Sequence, residues 1–219
     1  MKSIALLHTV PSVLQTFDAK LRSAMPNEEL HILNTMDEFL ASDANLHGFT
    51  RANENRLFHL LKALELESPD VIVITCSTLT PCAQRIRPFV SIPLVCIDEA
   101  MTQKAAALGD KIMVLATAQS TVEPTKAQLR RCAERLGKTL TLSEMVCAEA
   151  YDAVRQMDIP RHDRLLMMAA ATIRGQDAVV LAQASMAHME AEVEAICCCQ
   201  TLSSPGLCIE QVKEILTKE

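Results

Sequence analysis

The stretch Pro69-Asp70-Val71-Ile72-Val73-Ile74-Thr75-Cys76-Ser77-Thr78-Leu79-Thr80-Pro81 decides the fold. Its β-branched run ends in a cysteine and hydroxyl residues, and a helical pattern begins at Pro81. A strand of a parallel sheet, buried on both faces, reads as such a continuous apolar run. The thiol of Cys76 then lies at the carboxyl end of a strand and beside a helix start, where open α/β sheets hold their ligands. Backbone N–H groups and the helix dipole favour an anion there, a thiolate included, so the reading expects the Cys76 thiol to be lowered toward neutral pH. Thr80 is expected to cap the following helix, with Pro81 in its first turn.

Outward from this stretch, strand-like and helix-like runs alternate. The first half reads as strands at Ile4 to Leu7, Leu30 to Leu33, Val71 to Thr75 and Leu94 to Ile97. Helices fall at Val13 to Met25, at Asn53 to Leu66 and from Pro81. Leu57, Leu60, Leu61 and Leu64 supply the helical spacing of the second of these. The pattern then restarts. Strands are expected at Lys111 to Ala116, Leu140 to Val146, Ala178 to Leu181 and Ala195 to Cys199. Helices are expected at Pro124 to Leu136, Arg161 to Ile173, after Ser185 and at Ile209 to Leu216.

The halves echo each other: Ile4 to Thr9 matches Ile112 to Thr117, and Val71 to Thr78 matches Ala178 to Ser185. Right-handed crossovers make each half a small parallel sheet covered on both faces. The fold class is therefore α/β, with two pseudo-symmetric lobes, each a four-stranded parallel sheet flanked by helices, and the active site in the cleft between them. Residues 1–97 form the first lobe, with the C-terminal helix 205–219 packing back on it, and residues 98–204 form the second.

Composition narrows the class. The 219 residues are 49% apolar and 22% charged, within the globular range. With no Trp, one Tyr and five Phe, the core must be aliphatic. A net charge of −6 argues against a nucleic-acid binder, which needs a basic face, but leaves room for a small anion in a local pocket. No apolar stretch has the roughly 18–20 residues that cross a bilayer. The N-terminal apolar run stops at His8, too short for a typical signal peptide, so the reading is a cytoplasmic protein with no membrane partner. Nine scattered cysteines do not make a secreted disulfide framework, and no C-x-x-C pairs suggest zinc. Cys197-Cys198-Cys199 resembles a metal tract, but in a strand neighbours point to opposite faces and cannot chelate together. No metal and no cofactor are expected.

Cys76 is the leading catalytic candidate, with an inert packed thiol as the alternative. Cys82, one turn into the next helix, is a possible resolving thiol, which leaves redox sensing through Cys76 and Cys82 open. Ser77 and Thr78 offer hydroxyls and N–H groups beside Cys76. Thr117-Ala118-Gln119-Ser120-Thr121 suits a carboxylate through Thr117 and Thr121, or merely caps a helix. His8-Thr9 sits at the matching place in the first half, where His8 is either a proton-transfer group or a packed histidine. Asp98-Glu99 orients a ligand or caps the next helix. Ser203-Ser204-Pro205 adds hydroxyls at the last strand.

These residues resemble the aspartate/glutamate/hydantoin racemase superfamily over nearly the whole chain. The resemblance lies in the Cys76-Ser77-Thr78 motif at the third strand of the first lobe and the Thr117, Thr121 loop after the first strand of the second. Ile97 to Met101, Val114 to Thr117, Val122 to Thr125 and Leu181 to Met186 are similar to an uncharacterised branch of it. The resemblance implies cofactor-independent chemistry at a carbon next to a carboxylate, with two cysteines flanking the substrate. The first carries over onto Cys76. The second falls on Gln183, an amide with no titratable proton, which can still bind a carboxylate through its NH₂. The implied function is a racemase- or isomerase-like enzyme using Cys76, with His8 as a candidate second acid. Thr9, Ser77, Thr78, Thr117, Thr121, Gln183 and Ser185 would hold a small anionic carboxylate. The alternatives are a one-thiol decarboxylase-like enzyme and a non-catalytic small-carboxylate-binding protein. The resemblance also implies a homodimer or higher homo-oligomer.

Overall fold

A computed structural model of the chain describes residues 1–217, apart from the side chain of Asn45. The chain divides into two compact units, one of residues Met1–Ile97 joined by the C-terminal segment from Pro205, the other of Asp98–Ser204.

In the first unit the elements are β1 (Lys2–His8), α1 (Pro11–Ala24), β2 (Leu30–Met36), α2 (Glu38–His47), α3 (Arg51–Glu65), β3 (Val71–Ile74), α4 (Thr80–Ile86) and β4 (Leu94–Cys96). The strands form one parallel sheet in the order β2-β1-β3-β4. Every residue of β3 is buried, as the unbroken β-branched run requires. Leu57, Leu61 and Leu64 of α3 pack with Ile72 and Ile74 in one core, together with Leu79, Cys82 and Ala83. Each fully buried aliphatic side chain contributes about 1.5–3 kcal/mol. Side chains start α2 and α3: Asp37 accepts the Leu40 N–H at 3.2 Å, and Thr50 accepts that of Asn53 at 3.2 Å.

The second unit repeats the plan with α5 (Glu99–Leu108), β5 (Lys111–Ala116), α6 (Val122–Arg135), β6 (Thr141–Val146), α7 (Ala148–Arg155), α8 (Ile159–Ala170), β7 (Ala178–Leu181), α9 (Glu190–Cys197) and β8 (Gln200–Leu202). Its parallel sheet has the order β6-β5-β7-β8. The last helix, α10 (Ser204–Thr217), carries the chain back to the first unit, where the Leu216 carbonyl accepts a hydrogen bond from the Lys2 ammonium.

Register shows how close the repeat is. Ile4 pairs with Val71 and Leu7 with Ile74 in the first unit; Ile112 pairs with Ala178 and Leu115 with Leu181 in the second. Even the aspartates before the third strands act alike. Asp70 accepts the Ser3 N–H at 2.7 Å, and Asp177 accepts those of Asp110 and Lys111 at 2.8 Å each. The Lys111 and Asp110 N–H groups hold the Asp177 carboxyl below its ordinary value of 3.8. A carboxylate whose folded pKa is depressed adds stability above its unfolded value and loses it as pH falls through the folded one. Asp177→Asn is therefore expected to melt below the wild type at pH 7, with the gap closing under pH 3.8; thermal melts across pH check this.

Three sequence expectations need correction. The strand placed at Ala195 to Cys199 is instead the end of α9, a left-handed residue at Cys198 (φ 56°) and the start of β8 at Gln200. A short apolar run does not distinguish strand from helix by period alone, and Val193 and Cys197 form the buried stripe of a helix begun by Glu190 and Glu192. The argument that these cysteines point apart fails with the strand, since the Cys197 and Cys199 sulfurs lie 3.3 Å from each other. Thr80 is the first residue of α4 rather than its cap, because a 3-10 turn at Ser77–Leu79 precedes it. The closing helix also begins five residues early, at Ser204, with Pro205 fitting its first turn.

Candidate active site

Cys76 lies two residues past Ile74, the last residue of β3, in extended conformation and starts the 3-10 turn Ser77–Leu79. The residue is partly exposed, but its sulfur is closely surrounded. Burial pushes the Cys76 thiol above its ordinary value of 9.0. The Thr9 hydroxyl, the Thr78 N–H and hydroxyl and the Leu79 N–H favour the thiolate and oppose that rise without overcoming it. The expected lowering is thus reversed. The dipole argument assumed a full helix, whereas the turn at Cys76 is 3-10 and α4 has only seven residues. Cys82 is sealed in the core, its thiol pushed up to about 12 by burial and by Glu54. That environment disfavours the thiolate a resolving cysteine needs.

His8 ends β1 and is fully buried. Its Nδ1 lies 2.7 Å from the Thr75 hydroxyl and its Nε2 3.0 Å from Asn34 Oδ1, which only accepts. The neutral ring that satisfies both donates from Nε2 and accepts from Thr75. Asn34 in turn donates to Asp18 at 2.8 Å, and Asp18 pairs with Arg22 at 2.6 Å. Burial lowers the His8 pKa, against the Asn34 bond and the Asp18 charge. A proton-donor role for His8 would require one of these two bonds to break. The reading of isolated motifs missed Thr75 and Asn34. The signal was in the register, which sets β1 between β2 and β3, with Asn34 opposite Leu6, two residues before His8, and Thr75 just after the Leu7–Ile74 pair.

In the second unit Gln183 occupies the place that Cys76 holds in the first, extended and starting a 3-10 turn at Ala184–Met189. Its carbonyl accepts the Thr117 N–H at 2.9 Å, and its NH₂ donates to the Thr117 hydroxyl at 3.0 Å. Thr117 and Gln183 thus lock each other, as Thr9 stands beside Cys76. The Thr117 N–H, expected to face an anion, is already used. Thr121 is buried and donates to the Ala118 carbonyl at 2.9 Å, while Ser185 is exposed. Asp98 starts α5 without a capping bond from its side chain, and both Asp98 and Glu99 are buried. Gln183→Ala removes both Thr117 bonds, worth about 1–3 kcal/mol together. It is expected to lower the melting temperature by several degrees, while Gln183→Glu, which cannot donate to the Thr117 hydroxyl, falls between; thermal unfolding of the two variants checks this.

Two parallel α/β sheets, each with a reactive or hydrogen-bonding residue just past its third strand, define a duplicated strand-end architecture. The chain matches the Asp/Glu/Hydantoin racemase family over residues 7–212 and belongs to that family. Solved structures share its fold. They include a glutamate racemase from Francisella tularensis in complex with D-glutamate (TM-score 0.72, 13% identity, covering 100% of this chain and 84% of that one). A glutamate racemase isoform from Bacillus anthracis gives TM-score 0.71 at 14% identity, over 98% of this chain and 81% of that one. An allantoin racemase from Klebsiella pneumoniae gives 0.64 at 13%, over 98% and 87%. No curated protein sequence matches the chain. Among the described residues, no helix is long and apolar enough to cross a membrane.

Proposed function

We propose that this chain is an isomerase-like enzyme that moves a proton at the carbon next to the carboxylate of a small acid, such as an amino acid or a dicarboxylate, with Cys76 as its single working thiol and no cofactor. The family and the D-glutamate bound by the Francisella relative support the substrate class. The observation that carries the reading is the setting of Cys76. It sits at the carboxyl end of a central strand, and the Thr9 and Thr78 hydroxyls and the Thr78 and Leu79 N–H groups all favour its anion. As a thiolate the sulfur takes the α-proton, becomes a thiol and leaves an enediolate-like carbanion; return of a proton completes exchange or inversion. Gln183 stands where the resemblance places a second cysteine, and an amide cannot return that proton. The second proton therefore comes from water or another group. Ser77, Thr117, Thr121 and Ser185 are proposed as polar binding residues, and His8 as a positioning residue acting through Thr75.

A decarboxylase-like reading is favoured by one observation. A thiol raised above its ordinary value rests protonated, which suits a donor to a carbanion formed by loss of CO₂. Incubating the protein with amino acids, small dicarboxylates and 2-substituted acids in D₂O separates the readings. Deuterium entering the α-carbon of unreacted acid supports exchange. Deuterated product with CO₂ release supports decarboxylation. Binding with neither outcome across the panel would mark a carboxylate-binding protein and overturn both.

A further inference from the structure

His162, Asp163 and His188 lie together in the second unit, next to the turn that holds Ser185. His162 and Asp163 are on α8, and His188 is on the 3-10 turn Ala184–Met189 that follows Gln183. One oxygen, Asp163 Oδ1, is 2.7 Å from His162 Nδ1 and 2.8 Å from His188 Nε2, and the two rings stack with centroids 5.8 Å apart. We propose that these three side chains form a binding site for a divalent transition-metal ion such as Zn²⁺, which ties α8 to the turn carrying Gln183.

The placement of the ring nitrogens supports an ion here. His188 Nδ1 lies 3.0 Å from the Ser185 carbonyl, which only accepts, so Nδ1 carries a hydrogen. Nε2 then points at the Asp163 carboxylate oxygen 2.8 Å away, toward the place where a shared ion would sit. A backbone carbonyl that fixes the far nitrogen of a ligating imidazole is the usual outer support of a metal site. His162 approaches from the buried side, and its Nε2 has no hydrogen-bond partner, so Nδ1 is the ring's polar attachment. One ligand atom from each residue, two imidazole nitrogens and a carboxylate oxygen, lie within 4.8 Å of one another. That donor set suits Zn²⁺, Co²⁺, Ni²⁺ or Fe²⁺ rather than Mg²⁺ or Ca²⁺, which prefer oxygen. His188 is exposed and Asp163 partly so, which gives the ion a route from solvent and room for water as a fourth ligand. The sequence carries little sign of this site, because residues 162–163 and 188 are far apart along the chain and no cysteine spacing marks them.

The test uses the full chain stripped with chelator and titrated with Zn²⁺ and Co²⁺, with calorimetry, melting temperature and the visible Co²⁺ spectrum as readouts. One equivalent is expected to bind, to raise the melting temperature reversibly, and to give Co²⁺ d–d bands without thiolate charge transfer. Asp163→Asn and His188→Gln are each expected to weaken binding by at least about tenfold, whereas Cys197→Ser with Cys199→Ser leaves it unchanged. His188→Gln alters an exposed side chain, so loss of binding in a variant with wild-type circular dichroism reports on the ligand itself. No stoichiometric binding, or binding that survives His188→Gln but disappears with the cysteine pair, overturns the proposal.

Discussion

Cys76→Ala is expected to abolish deuterium incorporation at the α-carbon, with a loss of about 10³-fold or more. Positioned proton transfer supplies roughly 10²–10⁴-fold, and 10³-fold corresponds to about 4 kcal/mol of barrier. Cys76→Ser should lose nearly as much, because a serine hydroxyl keeps the shape and the Thr9 neighbour but does not ionise in the working range. The pH profile then separates the two roles of the sulfur. Burial holds the thiol above 9.0, so the thiolate fraction rises about tenfold per pH unit throughout the neutral range. A rate that needs thiolate climbs with that slope from pH 6 to 9; a rate that needs thiol stays flat and falls only in alkali. Rates unchanged in both variants would remove Cys76 from the chemistry altogether.

The raised thiol is informative about how a buried site works. Desolvation is the largest influence on Cys76, and the surrounding hydroxyls and N–H groups offset only part of it in the free protein. A cationic substrate ammonium beside the sulfur would add the missing favourable charge, since an opposite charge within about 4–6 Å lowers an acid's pKa by 1–3. An amino acid is thus expected to activate this thiol better than a simple dicarboxylate does. Comparing exchange of an amino acid with that of its deaminated analogue reads this directly, and equal rates would count against it.

Much of this was legible in the chain because the signals were local. The β-branched run Val71 to Ile74 placed β3, and the repeat of Ile4 to Thr9 at Ile112 to Thr117 placed two sheets of equal plan. What escaped depended on three dimensions. Whether Cys76 is a thiolate is set by how many atoms crowd its sulfur, which no motif encodes. The sequence leaves His8 open between a proton-transfer group and a packed histidine, because its partners, Asn34 and Thr75, come from two neighbouring strands. Gln183 looked like a ligand donor because its lock on Thr117 spans 66 residues. The misplaced strand at Ala195 failed for a different reason: five apolar residues before a polar one fit either period.

Gly109→Ala is expected to be the most destabilising single-methyl addition in the second unit. Gly109 has extended φ of −176°, so its backbone does not need glycine. Space does: a Cβ there would lie 2.2 Å from Asp177 Cβ and 2.5 Å from both Cγ and Oδ2. These are not the tip of a flexible chain, and Asp177 is fixed by the Asp110 and Lys111 N–H groups. The Gly109 carbonyl is held in turn by Lys138 at 2.8 Å. Gly137 and Gly175 present the opposite case, with φ of 68° and open space around the missing Cβ. Forcing a methyl into a packed contact costs about 1–3 kcal/mol, or roughly 2–12 °C in melting temperature for a chain of this size. The cause is checked by a double-mutant cycle. In the Asp177→Gly background the clashing Cβ, Cγ and Oδ2 are all gone, so Gly109→Ala should cost much less than it does alone. An equal cost in both backgrounds would show that something other than the Asp177 side chain demands glycine at this position.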